Sequence, residues 1–305
     1  MVFSSLTFLF LFLPLNLLVY FFAKDIKARN TVMLVFSLIF YAWGEPVYIL
    51  LLVGMTLADW YLTLKIAVNK RRPKKARLLL ASVIGLDLLL LGIFKYGTFT
   101  LANLNHLFGF PKTVPSIALP IGISFYTFQL MTYCIDVYRG EVKAQRSFKM
   151  LLLYVSMFHQ CIAGPIVRYK DVNRELENRR VTYTDIADGI NRFVTGLAKK
   201  AILANTCAAI TDKLLIADGG DFSALSTKSA LSLWVGVIAF TLQIYLDFSA
   251  YSDMAIGMGR MIGIHYLENF DYPYMSASVT EFWRRWHISL GSFFRDYLYI
   301  PLGGN

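Results

Sequence analysis

The sequence predicts an all-α polytopic membrane protein, a bundle of transmembrane and re-entrant helices around an internal cavity, and three observations carry that prediction. Of 305 residues, 56% are hydrophobic and only 16% charged, more apolar surface than a soluble domain of this size buries. Val2 to Phe22 carries no charge and is long enough to cross a hydrocarbon core of roughly 30 Å at about 1.5 Å per residue. The basic residues gather in short segments between apolar runs, as in cytoplasmic loops, and not along one soluble face. The net charge of +10 therefore points to a bilayer and to no nucleic acid.

The elements follow in order. "MVFSS" and "FFAKDIK" supply neither the basic start nor the cleavage site of a signal peptide, so Val2 to Phe22 is expected as a retained first span. Thr31 to Trp43 and Val47 to Leu64 are the next spans, joined by "GEP", where Pro46 cannot continue a helix. "KRRPKKAR" (70 to 77) is the strongest basic cluster and is expected in the cytoplasm, which places "KDIKAR" (24 to 29) there too and the N-terminus outside. Leu78 to Phe94 leads to an outside loop sparse in charge, with His106 and Lys112 in it; Ile117 to Val137 returns to the basic "YRGEVKAQRSFK".

Met150 to Val167 breaks the alternation. A full crossing would put "RYKDVNRELENRR" outside with five basic residues against three acids. A re-entrant segment fits better, with Gly164 and Pro165 making the turn, and irregular backbone at that depth implies surrounding protein or a water-filled cavity. Residues 186 to 216 interleave apolar stretches with Arg192, Lys199, Lys200 and Lys213, which suits a helix in the interface or packed on protein. "ADGGDFS" (217 to 223) reads as a loop and Ser229 to Leu246 as a span. No repeat or linker divides the chain, so residues 1–305 form a single domain.

Candidate chemistry concentrates in "TEFWRRWHISLG" (280 to 291). Ser278 and Glu281 fit a capping box, so a helix is expected to start near Val279, with Arg284, His287, Ile288 and Gly291 on one face and Trp283, Trp286 and Leu290 on the next. An arginine at the bilayer centre costs roughly 2.5 to 3.5 kcal/mol, which excludes a lipid-facing helix. Two homes remain open: an interfacial anchor, or the wall of a polar cavity where the arginines hold an anionic substrate and His287 handles a proton. Asp247 and Asp253 are equally open, either a functional site or packing hydrogen bonds to Tyr251 and Ser249. His159 near Cys161 invites thiol chemistry, but a hydrogen-bonded histidine and a packed cysteine is the plainer reading. His265, alone after "MIGI", suits surface or core. Cys134, Cys161 and Cys207 form no disulfide framework or zinc pattern, and no metal is expected.

"QLMTYCIDVYRGE" (129 to 141), "IAGPIVRYKDV" (162 to 172), "LDFSAYSDMAIGMGRMIGI" (246 to 264) and above all "NFDYPYMSASVTEFWRRWHISLGSFFRDYLYIPLGGN" (269 to 305) resemble the membrane-bound O-acyltransferases of the alginate O-acetyltransferase type, with teichoic acid D-alanyl-transfer proteins as more distant relatives. The resemblance implies an internal tunnel with the acyl donor, acetyl-CoA, entering from the cytoplasm and no resident cofactor. It also implies transfer across the cell membrane, through an extracytoplasmic SGNH-like partner and the polysaccharide export machinery, to hydroxyls of an exported polysaccharide. His287 matches the first of the family's two histidines, and Arg284 and Arg285, within the same motif, suit the donor's phosphates.

The second family histidine is expected in an apolar segment beyond "PLGGN", and the resemblance therefore makes this chain the N-terminal part of such an enzyme, inactive by itself. Two alternatives carry their own discriminators. A transporter predicts substrate flux insensitive to His287→Ala. A non-catalytic scaffold predicts partner binding that survives the same change with no acetyl transfer.

Overall fold

The computed structural model describes residues 2–109, 117–161, 164–215 and 222–304. Lys112, most of the loop expected at 217 to 223, and Asn305 lie outside the described residues. Those described form helices and connecting turns with no strand. Four helices are long and apolar enough to cross a membrane: Ile49–Val68, Pro73–Phe108, Tyr183–Leu215 and Ala230–Met261.

The first apolar run forms the shorter helix Phe8–Phe22, which opens with a π-helical turn at Phe8–Phe12. Ahead of it the chain turns so that Phe3 is buried and stacks on Tyr251 at 4.4 Å. The next helix, Ile26–Gly44, is capped by Asp25, whose side chain accepts from Ala28 N–H at 2.7 Å. Phe8, Phe12, Phe40 and Phe158 form one aromatic cluster with ring centroids 5.3 to 6.1 Å apart. That cluster pins the first two helices to the segment that follows residue 148.

Pro73, expected only as part of a basic loop, sits at the start of the 36-residue helix Pro73–Phe108, where its missing N–H costs nothing. The helix runs past Phe94 to Phe108, so His106 lies in its last turn and not in a loop. At its buried face Asp87, and Asp59 on Ile49–Val68, are fully enclosed. Helix Ile123–Arg139 starts later than the apolar run because Gly122 holds a left-handed backbone, φ 75°.

The re-entrant path is realised. Helix Phe148–Ser156 begins beside Thr31, which accepts from Lys149. It breaks at Met157, and Phe158 N–H donates to Ser37 past the midpoint of Ile26–Gly44. The chain then returns: Tyr154 O–H donates to Val167 C=O at 2.7 Å, and the Tyr169 hydroxyl accepts from Gln145 at 2.9 Å, back at the level of departure. Gly164 is required in the turn, because a Cβ there would lie 2.7 Å from Gln160 Cα.

Of the two forms expected for residues 186 to 216, the structure shows the helix packed on protein. Tyr183–Leu215 is one continuous rod, started by a capping box between Thr182 and Asp185 and packed along Ala230–Met261. The two backbones nearly touch: a Cβ on Gly189 would meet Gly257 C=O at 2.7 Å, and one on Gly196 would meet Ala250 C=O at 2.7 Å. The cations that suggested an interface find acids on the partner helix. Arg192 meets Asp253 at 2.6 Å, Lys199 also pairs with Asp253, and Lys200 meets Asp247 at 2.7 Å. Asp253 and Asp247 are thus held by ion pairs and not by the hydrogen bonds to Tyr251 and Ser249 that were one of the two open readings; among the described residues the Tyr251 hydroxyl is buried without a partner and Ser249 donates to Leu246 C=O.

The basic segments share one end of the bundle. Buried Arg179 joins them, donating to the Tyr20 hydroxyl at 2.9 Å, Asn30 Oδ1 at 2.7 Å and Ile262 C=O at 3.0 Å. At the other end Tyr41 and Tyr48 donate to the carbonyls of Ile121 and Ala118.

Candidate active site

The segment from His265 to Tyr299 folds as a compact module on one flank of the bundle. Helix Val279–Arg285 starts as its cap predicts: Ser278 Oγ accepts from Glu281 N–H at 3.1 Å, and the Glu281 carboxylate accepts from Ala277 N–H at 3.0 Å. It does not continue through His287. The chain breaks after Arg285, His287 takes a left-handed backbone at φ 45° and ψ 55°, and a second short helix runs Ile288–Phe293. Arg284 and His287 are therefore on two helices and do not share one helical face.

A non-glycine residue in that conformation costs roughly 1 to 2 kcal/mol. Among the described residues only Tyr272 and His287 adopt positive φ without being glycine, and both belong to this module. The break is held by the extended stretch beside it: Asp271 N–H donates to Arg285 C=O at 2.9 Å, and Ile288 N–H to Asn269 C=O at 3.0 Å.

His287 is buried, with its ring edge-on to Phe248 at 4.8 Å and its Nδ1 3.2 Å from Asn269 Oδ1. Burial pulls its imidazole down to about 4, so it is neutral at pH 7. Trp286 packs away from it into a cage with Phe270 at 5.2 Å and Phe282 at 5.5 Å.

Two cavities flank this strut. One of about 970 Å³ is lined by Arg168 and Asp171, by His265 and Glu268, and by Trp283, Arg284 and Arg295. The other, of about 800 Å³, is lined by Arg192, Lys199, Asp253, Tyr245 and Tyr272. Ile288 and Glu268 line both, so these two residues form part of the partition.

The two arginines of the motif have different surroundings. Arg285 is spent within the module, meeting Glu281 at 3.0 Å and Asp271 at 3.4 Å, and it does not line the larger cavity. Arg284 lines that cavity and has no ion-pair or hydrogen-bond partner among the described residues. Arg168 and Arg295 beside it are paired to Asp296 at 3.0 Å and 2.7 Å. Arg295, and behind it Arg168, hold the Asp296 carboxyl below its usual range.

The other histidines are placed elsewhere. His159 is buried in the core, its Nδ1 3.4 Å from the Tyr266 hydroxyl. His265 sits between Glu175 at 2.8 Å and Asp185 at 3.6 Å at the cavity rim. Cys134 Sγ lies 2.9 Å from Thr63 Oγ1 and Cys161 is buried, which is packing and not thiol chemistry. Sequence reasoning did not single out Asn269 and Ser289, which hold His287. They lie within the quoted block 269 to 305, but only the chain reversal brings them to it.

The model of the membrane-bound O-acyltransferase family matches residues 141–305, which spans the re-entrant segment, the paired rods and this module. The chain belongs to the membrane-bound O-acyltransferase family. Within the family it is 44% identical, over its whole length, to a probable alginate O-acetylase of Pseudomonas putida, of which it covers 62%. It is 34% identical to a peptidoglycan O-acetyltransferase of Helicobacter pylori, again over its whole length and 62% of that protein. A teichoic acid D-alanyltransferase of Bacillus subtilis is 28% identical over 59% of this chain. The chain thus spans about three-fifths of the first two relatives' length, 62% in both cases.

Proposed function

We propose that this acyltransferase-family chain transfers acetyl from acetyl-CoA toward hydroxyls of an exported cell-surface polysaccharide. The observation that carries the reading is the unpartnered Arg284 in the wall of a cavity of about 970 Å³ beside the His287 strut. A guanidinium without an ion pair among the described residues, in the same wall as two that share Asp296, suits a phosphate-bearing donor, and the relatives named for alginate and peptidoglycan O-acetylation supply the acceptor class. Arg285 is the module's own brace on this reading, and it reaches a donor only by giving up Glu281 or Asp271.

The basic segments at one end mark the cytoplasmic side of the cell membrane, with the N-terminus extracytoplasmic. Arg168 and Asp171 bring the cavity to that end, which suits a cytoplasmic donor. In the transfer the acceptor oxygen bonds the acyl carbon, the carbon–sulfur bond breaks, and the hydroxyl proton passes by way of a base to the departing thiolate. His287, neutral at pH 7, is the group assigned to proton handling. An extracytoplasmic SGNH-like acetyltransferase and the export machinery are the partners that would carry the group onward.

The test is acetyl-CoA-dependent labelling of cell-surface polysaccharide in membranes carrying the native gene. His287→Ala abolishes labelling. Arg284→Ala raises the KM for acetyl-CoA about tenfold or more and leaves the Tm unchanged, whereas Arg285→Ala lowers the Tm. Labelling indifferent to His287→Ala overturns the reading.

A further inference from the structure

We propose that Asn269 is the positioning residue of this site: it holds His287 as the Nδ1–H tautomer and leaves Nε2 as the free, proton-accepting nitrogen. The proposal rests on the proton-handling role given to His287, but its geometry is independent of any substrate. Asn269 is fully buried, and its Oδ1 has three neighbours: Ser289 N–H at 3.1 Å, Ser289 Oγ at 2.9 Å and His287 Nδ1 at 3.2 Å.

A backbone N–H can only donate, so the amide atom it meets is the oxygen; the ambiguity of an amide's two ends is removed. That oxygen can only accept, so His287 Nδ1 carries the proton. Ser289 cannot take over the role. Its hydroxyl accepts from Ile166 N–H at 3.0 Å, turns its own hydrogen toward Asn269, and lies farther from Nδ1, at 3.4 Å. A neutral imidazole with its proton on Nδ1 has its lone pair on Nε2, and Nε2 has no hydrogen-bond partner among the described residues.

The choice of amide over acid has a consequence. Asn269 Nδ2 is buried with no partner among the described residues, so the site carries the cost of one unsatisfied amide group. A carboxylate there would sit against Nδ1 and favour the imidazolium, whose Nε2 also carries a proton and accepts nothing. The neutral amide orients the ring without charging it. The Asn269 carbonyl fixes the left-handed turn at the same time, through Ile288 N–H, so one residue sets both the backbone and the tautomer.

The test is nitrogen NMR of the whole protein in lipid nanodiscs with labelled histidine, the four histidines separated by the signal lost in His287→Gln. A protonated Nδ1 and an unprotonated Nε2 are expected at neutral pH. Asn269→Asp, which keeps the shape, protonates both nitrogens and lowers kcat about tenfold or more with the donor KM within about twofold. Asn269→Leu abolishes the Nδ1–H preference, and Ser289→Ala retains it. A proton on Nε2 in the wild type overturns the proposal, as does an Asn269→Asp protein whose His287 signals are unchanged. Should Asn269→Leu not fold, the Asp variant decides. Absence of acyl transfer with the expected signals counts against the proposed function alone.

Discussion

Arg192 and Asp253 meet at 2.6 Å across the rods Tyr183–Leu215 and Ala230–Met261, and Lys199 closes on the same carboxylate from one side. The carboxylate is 9% exposed while its two cations are 38% and 27% exposed, so the acid is the buried member of the cluster. Removing it leaves two cations facing protein at membrane depth, where an unpaired charge is expensive.

Asp253→Ala is therefore expected to destabilise the protein by about 2 to 4 kcal/mol, toward the low side of a fully buried pair because both cations keep some access to solvent. Replacing Asp247, 44% exposed in its pair with Lys200, by Ala is expected to cost less than about 1 kcal/mol. Thermal unfolding of both variants in the same detergent checks the order. Equal losses would show that the cluster at Asp253 is no tighter than a surface pair.

The glycine contact between the same rods gives a second prediction. A Cβ on Gly257 would lie 2.6 Å from both Gly189 C=O and Phe193 N, backbone atoms that cannot turn aside. Gly257→Ala should cost roughly 1 to 3 kcal/mol by forcing the rods apart. Gly54 has nothing within 4 Å of its missing Cβ, so Gly54→Ala should be neutral or stabilise by up to about 1 kcal/mol through helix propensity. A Tm comparison that ranks them the other way would contradict the close approach.

His287 supplies a pH dependence. Its folded value of about 4 lies below the ordinary 6.5, so between those pH values the unfolded chain binds the proton and the folded protein does not. Stability then rises with pH through that window and falls as pH drops from 6.5 toward 4, by roughly 3 kcal/mol in all. Asp296, held below the usual carboxylate value, loses its contribution only as pH falls further, through its own folded value. The difference between wild type and His287→Gln isolates the histidine, and a window with no difference would place its imidazole in water.

The re-entrant segment shows how far one dimension reaches. Gly164 and Pro165 with the excess of basic residues after Arg168 were enough to expect a chain that dips and returns, because a turn and a charge bias are local properties. The Ser278 cap was legible for the same reason. The choice for 186 to 216 between the interface and packing on protein stayed open, because its cations were weighed without the acids of another helix.

The sequence by itself determined most of the membrane helices, the basic end of the bundle, the start of the helix at Val279 and the motif that holds His287. Each depends on hydropathy, caps or charge within a few residues. Only the tertiary structure decided which charges are paired, that Arg284 is free while Arg285 is engaged, and that the helix breaks at His287 in a left-handed turn held by Asn269. Those depend on partners distant in sequence, and helical periodicity carries no record of a partner that stabilises the departure from it.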